Sequence, residues 1–485
     1  MVFSSLIFLY AFLPLSLLVY VLCKGRKAKN MSLLVFSLIF YAWGEPKYVL
    51  LLMFMSLCSW FCALRVERAA SRKGKRAWVA VSCAIDIALI GFFKYAGLIC
   101  SVFGEVPEFI ANIALPIGIS FYTFQLLTYV VDVYRGDAEA QPSYLNVLLY
   151  ASLFHQCVAG PIVRYKTIAH ELFVQRDSRD LLSGISRFTV GLAKKTLLAN
   201  PCGALADQLL LSTDAASNAS LFAENLSTLS GLSALGAWVG VAAFMMQIYL
   251  DFSAYSDMAI GMGRMLGLHY LENFDYPYLS KTVTEFWRRW HISLGTFFRD
   301  YVYIPLGGRQ CSKARSVFNL FVVWALTGLW HGAHWNFVLW GLYFFVFILI
   351  ERLFLKRLFA KLHILPHIYL LFVVFVGWIL FHFTDVRLGW TVFLGLFGAN
   401  GNAASDFVSI TLLKNNVFLL AVSAIACTPL VKTMANGAGT RLRRSRSGER
   451  LFNLMAYIVF PIVLLLLSTA SLVGDSYNPF IYFQF

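Results

Sequence analysis

The stretch CSKARSVFNLFVVWALTGLWHGAHWNFVLWGLYFFVFILIERLFLKR, residues 311–357, sets two apolar runs of about fifteen residues each between basic flanks, with His331 and His334 where the runs meet. As a helix such a run covers ~22 Å, short of the ~30 Å hydrocarbon core of a bilayer. Lysine and arginine collect on the cytoplasmic side of membrane helices, so both flanks read as cytoplasmic and the tip carrying His331 falls within the membrane's thickness. An ionisable side chain there costs free energy that a leucine would not, which makes His331 a candidate functional residue. A histidine hydrogen-bonded between helices for packing is the competing reading. His334, three residues on, would sit at metal-ligand spacing if both residues lay on one helix, but no carboxylate or cysteine accompanies the pair. No metal is therefore expected, and His334 reads as a packing neighbour of Trp335 and Asn336 or a support for His331.

The rest of the chain has the same character. Of its 485 residues 59% are hydrophobic and 13% charged, far from the ~25% charged residues of a soluble domain. Apolar runs at about 3–23, 31–44, 46–64, 77–100, 112–133, 197–212, 231–252, 317–330, 335–351, 364–383, 416–433 and 452–473 predict an all-α polytopic membrane protein of ten to twelve spans. None alternates as a barrel strand does. The net charge of +15 resides in short clusters between these runs, so it reports topology and not nucleic-acid binding. With twelve crossings the basic segments 24–29, 65–76, 264–316, 351–361 and 441–450 share one side, and the acidic 105–108 and 212–227 lie on the other. Both termini are then extracytoplasmic. The first apolar run precedes a basic cluster, the reverse of a signal peptide's order, and reads as a retained first helix. The nine cysteines lie mostly in apolar runs without C-x-x-C spacing and read as small core residues. Residues 143–163 and 388–400 are short or broken by glycine and proline, as re-entrant or interfacial segments are. The whole chain, 1–485, reads as one membrane domain with a core at about 112–356.

Three further stretches place polar groups in costly positions. YLSKTVTEFWRRWHISLGTFFRDYVYIPLGGR (278–309) interleaves Arg288, Arg289, Arg299 and Arg309 with Trp287, Trp290 and several phenylalanines and tyrosines, a pattern of amphipathic helices anchored in headgroups. His291 either shares in that anchoring, the favoured reading, or faces a cavity. IYLDFSAYSDMAIGMGRMLG (248–267) crowds Asp251, Tyr255 and Asp257 at the expected inner end of a span. The two aspartates are six apart, not on one helix face, so helix termination and interhelical hydrogen bonding are favoured over acid–base work. LPIGISFYTFQLLTYVVDVYRG (115–136) carries Gln125 and Asp132, read as packing or interface residues.

Together, PIGISFYTFQLLTYVVDVYRG, LYASLFHQCVAGPIVRY, YLDFSAYSDMAIGMGRMLG, EFWRRWHISLGTFFRDYVYIPLGG, LTGLWHGAHWNFVLWG and the ending NPFIYFQF resemble the membrane-bound O-acyltransferase family, within it the bacterial alginate O-acetylation branch, over nearly the whole chain. The resemblance implies a helical ring around a tunnel, with an acyl group passing from a cytoplasmic thioester donor to an acceptor hydroxyl. His331 in GLWHG matches the family's invariant histidine and His291 in RRWHISLG its second; His334 stands where a small residue is common. The aromatic tail is implied to face outward.

A thioester acyl transfer needs a base for the attacking hydroxyl, groups that hold the carbonyl, and exclusion of water. A buried, neutral histidine fits the first requirement, so His331 is expected as general base and His291 as its assistant or as a residue that positions the donor. No Gly-x-Ser-x-Gly elbow is present, which disfavours a serine acyl-enzyme. No bound cofactor is expected. The donor implied is acetyl-coenzyme A, with Arg288, Arg289 and Arg299 as candidates for its phosphates and Trp287, Tyr255, Asp257 and Asn336 as further donor- or substrate-binding candidates. The implied acceptor is an exported polysaccharide such as alginate or cellulose. It would be reached in the inner (cytoplasmic) membrane, among membrane lipids, through an extracytoplasmic partner acetyltransferase and the polysaccharide export machinery. D-alanyl transfer from a carrier-protein thioester to teichoic acid, and a proton-coupled transporter or flippase using His331 as relay, are the rivals.

Overall fold

A computed structural model describes residues 1–158, 160–174, 180–211, 219–474 and 477–480. Among the described residues every regular element is helical. Seven helices are long and apolar enough to cross a membrane: Val49–Arg68, Arg72–Phe103, Ala234–Met265, Trp335–Phe359, Leu365–His382, Phe407–Ala426 and Arg446–Gly474. The remaining runs fold as helices that are shorter or carry charged turns. The 112–133 run, for example, begins in non-helical backbone through Gly118, whose φ of 75° is left-handed, and becomes a helix only over Ile119–Arg135. The acidic loop expected from residue 212 lies outside the described residues as far as residue 218.

Contacts divide the chain into two compact units. The first comprises Met1–Leu192, Tyr255–Glu272 and Ala456–Leu472. In it α1 (Val49–Arg68), α2 (Arg72–Ile90) and α3 (Ile119–Arg135) pack on one another. The 143–163 stretch is a nine-residue helix, α4 (Tyr144–Ser152), followed by irregular backbone, and nearly every described side chain in it beyond Asn146 is buried. Two more helices follow, α5 (Tyr165–Phe173) and α6 (Leu181–Ala193). The second unit comprises Ala193–Ala254, Asn273–Met455 and Val473–Phe485.

The helix α7 (Ala234–Met265) contributes to both units and corrects one expectation. Asp251 and Asp257 do not end a span; the helix runs through both. Each carboxylate has an ion-pair partner that makes mid-helix burial tolerable. In the second unit Lys195 Nζ lies 2.7 Å from Asp251 Oδ1, both side chains buried. In the first, Arg187 Nε donates to Asp257 Oδ1 at 2.7 Å while its Nη2 reaches Glu272 Oε2 at 2.6 Å. Close backbone approach completes the packing of α7 in the first unit: a Cβ on Gly261 would lie 2.7 Å from the Gly184 carbonyl oxygen of α6, a small-residue helix contact of the membrane type.

In the second unit the segments that carry the candidate site are α8 (Val283–Arg289), α9 (Ile292–Phe298), α10 (Lys313–His331), α11 (Trp335–Ile350) and α12 (Leu365–His382). Ser312 caps α10, accepting from Arg315 N at 3.3 Å, so the helix starts within the basic flank. At 19 residues it is longer than its apolar run, ~28 Å against ~22 Å. It pairs with α11 through glycines, since a Cβ on Gly328 would collide with the Phe337 carbonyl and one on Gly341 with the Trp324 carbonyl. The described part of the chain's end belongs to this unit as well. Tyr477 donates to Asp207 Oδ2 at 2.6 Å, Asn200 Nδ2 to Asn478 Oδ1 at 3.2 Å, and Lys195 to the Pro479 carbonyl. The closing residues 481–485 of NPFIYFQF lie outside the described residues.

Candidate active site

His331 is the last residue of α10 and is 3% exposed. The chain then turns in extended backbone at Gly332, where a side chain would strike the Phe337 ring, and re-enters helix at Trp335. His331 and His334 are therefore not on one helix, contrary to the geometry a metal pair would need, and His334 is exposed. Among the described residues no group of three His, Cys, Asp or Glu side chains is arranged to hold a metal. The His331 ring is walled by aromatics: Trp330 at 5.0 Å, Trp340 at 4.7 Å and Phe381 at 5.6 Å between centroids. Its Nδ1 is 2.7 Å from the Thr327 carbonyl oxygen. A carbonyl only accepts, so this contact places the ring hydrogen on Nδ1 and makes Nε2 the basic nitrogen.

His291 is 1% exposed, so it is not a headgroup anchor. It occupies the turn between α8 and α9 with φ 46° and ψ 54°, a left-handed conformation that is uncommon outside glycine and concentrates at functional sites. The turn is pinned by Asn273, whose carbonyl accepts from Ile292 N at 3.0 Å and whose Oδ1 accepts from Ser293 N at 3.1 Å and Ser293 Oγ at 2.9 Å. Ser293 Oγ is 3.4 Å from His291 Nδ1. The ring packs on Phe252 at 4.8 Å and Trp330 at 5.5 Å. Both histidines thus contact the Trp330 indole.

Most of the aromatics of the 278–309 segment are core residues and not interfacial anchors. Phe286, Trp290, Phe297 and Phe298 are buried. Trp287 packs edge-on against Trp324, Trp340 and Phe344 within 5.3 Å, which puts it in the wall behind His331. Asn336, fully buried, donates to the Leu380 and Phe381 carbonyls at 3.2 and 3.4 Å, tying α11 to α12 beside the Phe381 ring.

A cavity of ≈ 1410 Å³ opens in the same unit, larger than the ~300–1,000 Å³ of most small-molecule pockets. Its lining carries six cations, Lys281, Arg288, Arg299, Arg309, Arg352 and Lys356, against one carboxylate, Glu351. Leu320, Val323 and Ile348 supply apolar wall. Of the arginines expected to serve the donor, Arg288 and Arg299 line it; Arg289 instead pairs with Glu285 at 2.8 Å. Sequence reading missed Lys281, Arg352 and Lys356 as site residues because a basic cluster beside a span is fully explained by topology. Tyr255 and Asp257 belong to the first unit, where Tyr255 stacks on Phe3 at 4.3 Å and Asp257 holds Arg187.

The model of the membrane-bound O-acyltransferase family matches residues 38–393. The chain belongs to that family. It is 33% identical to a probable alginate O-acetylase of Azotobacter vinelandii, with both chains covered in full. It is 29% identical to a peptidoglycan O-acetyltransferase of Helicobacter pylori over 83% of this chain and 80% of that one. A teichoic acid D-alanyltransferase of Bacillus subtilis is 26% identical over 48% of this chain and 58% of its own. This chain is an O-acyltransferase and a multi-pass membrane protein.

Proposed function

We propose that the protein moves an acetyl group from acetyl-coenzyme A at the cytoplasmic face of the inner membrane to the hydroxyl of an acceptor serving O-acetylation of an exported polysaccharide. The observation that carries this reading is that two of the helices lining the cationic cavity, α8 and α10, lead to the two histidines. Val323 stands eight residues before His331 on α10, ~12 Å along the helix, and Arg288 stands three residues before His291. Phosphates of the donor fit the cationic lining, and the apolar wall suits a pantetheine arm reaching toward the rings.

In this reading His331 Nε2 takes the proton of the attacking hydroxyl as its oxygen bonds to the thioester carbonyl carbon. Collapse of the tetrahedral species breaks the C–S bond, and the imidazolium returns the proton to the departing thiolate. His291, held by its Asn273-pinned turn, faces the donor end of the reaction and orients the thioester. The surrounding indoles and Phe381 exclude water that would hydrolyse it. The alginate and peptidoglycan O-acetylating relatives support a glycan acceptor, and delivery through an extracytoplasmic partner acetyltransferase fits a chain whose outer loops are expected to be small.

Equilibrium binding of radiolabelled acetyl-coenzyme A to the purified protein in nanodiscs tests the donor assignment. Saturable binding weakened about tenfold by Arg288→Ala is expected, one charge-assisted phosphate contact being about 1.5–3 kcal/mol. Absence of binding, with labelling instead by an aminoacylated carrier protein, would favour D-alanyl transfer; proton-coupled flux without acyl transfer would favour a transporter.

A further inference from the structure

Glu351 is a carboxylate inside a cavity otherwise built for an anion, 5% exposed, at the end of α11 where a π-helical turn, Glu351–Leu355, begins. Its oxygens accept from Val283 N at 2.5 Å, Thr284 N at 3.2 Å and Thr284 Oγ1 at 3.2 Å. Val283 N and Thr284 N are the first amides of α8, which have no partner within the helix itself. Thr282 Oγ1 takes the next amide, Glu285 N, at 3.0 Å. A residue nearly seventy positions away therefore fastens the start of the seven-residue helix whose far end delivers Trp290 and His291.

The connection is closed on the other side. α11 begins four residues after His331 and ends at Ile350, next to Glu351; α8 begins at Glu351's hydrogen bonds and ends at Arg289, two residues before His291. We propose that Glu351 is a positioning residue of the acyl transfer: it fixes α8 to α11 so that the His291 turn and the His331 ring keep a set separation while the donor enters between the cavity walls. This rests on the acetyl-coenzyme A reading. Its electrostatic sign is opposite to that of a donor contact, because a negative charge in the cavity repels phosphates. Removing Glu351 should therefore leave donor affinity unchanged or improved while turnover falls.

The test measures coenzyme A release and acetyl transfer by the purified full chain across acetyl-coenzyme A concentrations, for wild type, Glu351→Gln, Glu351→Ala and Arg288→Ala. Glutamine keeps one accepting oxygen and so preserves the fold where alanine does not. A kcat lowered about tenfold or more in Glu351→Gln with KM unchanged or lower, beside an Arg288→Ala variant whose KM alone rises, is the expected split. A Glu351→Gln variant with wild-type kcat, or one whose KM rises, would overturn the positioning role while leaving the donor reading intact. A wild type that neither binds nor turns over acetyl-coenzyme A would overturn the donor reading itself, and this inference with it.

Discussion

His331 donates its Nδ1 hydrogen to the carbonyl oxygen of Thr327, one turn back on α10, at 2.7 Å. The hydrogen bond fixes both the ring's orientation and its tautomer, so the lone pair of Nε2 points away from the helix that carries it. For a general base this separates two tasks: one nitrogen holds the ring, the other exchanges the proton.

The His291 turn offers a substitution that isolates the ring from the backbone. Asparagine tolerates the left-handed conformation better than other non-glycine residues, so His291→Asn should keep the Asn273-pinned turn and the protein's thermal stability. Acetyl transfer should nonetheless fall on the order of 10²-fold, the scale of a lost proton-transfer or positioning group. Near-wild-type transfer in a stable His291→Asn protein would return His291 to a structural role.

The buried Lys195–Asp251 pair should behave as buried pairs do. Asp251→Ala leaves an uncompensated ammonium and should cost about 3–5 kcal/mol, whereas the double replacement Lys195→Met with Asp251→Leu should cost less than either single change. Denaturant titration in detergent micelles reads the difference.

In the first unit His269 bridges two carboxylates. His269 Nε2 meets Asp180 Oδ2 at 2.8 Å and its Nδ1 meets Glu171 Oε1 at 2.7 Å, while its amide donates to Glu171 Oε2. The Asp180 hydrogen bond first, and Glu171 after it, raise the imidazole's pKa above its usual value. A raised folded-state pKa adds stability that is fully present below the unfolded value of ~6.5 and is lost as pH rises through the folded value. The Tm difference between wild type and His269→Gln should therefore be largest at about pH 6 and shrink toward pH 9. A difference independent of pH would mean that the cation makes no contribution; the half-exposed ring makes the effect modest and salt-sensitive.

The fold class was legible because a helix that crosses lipid must be apolar for about twenty residues, and runs such as 46–64 and 364–383 have few other readings. His331 was legible for the same reason, as a polar residue in an apolar setting. Other features were hidden because their meaning depends on distant partners. Asp251 and Asp257 looked like the end of a span until Lys195 and Arg187 supplied the opposite charges that let α7 continue. His291 looked interfacial because Trp290, Phe297 and Phe298 suit a headgroup layer as well as they suit a core, and only burial separates the two. Glu351 sat within ERLFLKR, where topology accounted for every charge, and its hold on Val283 and Thr284 is a contact across 67 and 68 residues that no local pattern signals.

The most direct measurement is acetyl transfer from radiolabelled acetyl-coenzyme A by membranes or nanodiscs containing wild-type protein or His331→Ala, with the inserted amounts of the two matched. Wild type should transfer label to acceptor and His331→Ala should lose about 10²–10⁴-fold or more of the rate while still binding acetyl-coenzyme A and inserting normally. Wild-type rates in His331→Ala would contradict its assignment as the base that takes the acceptor's proton.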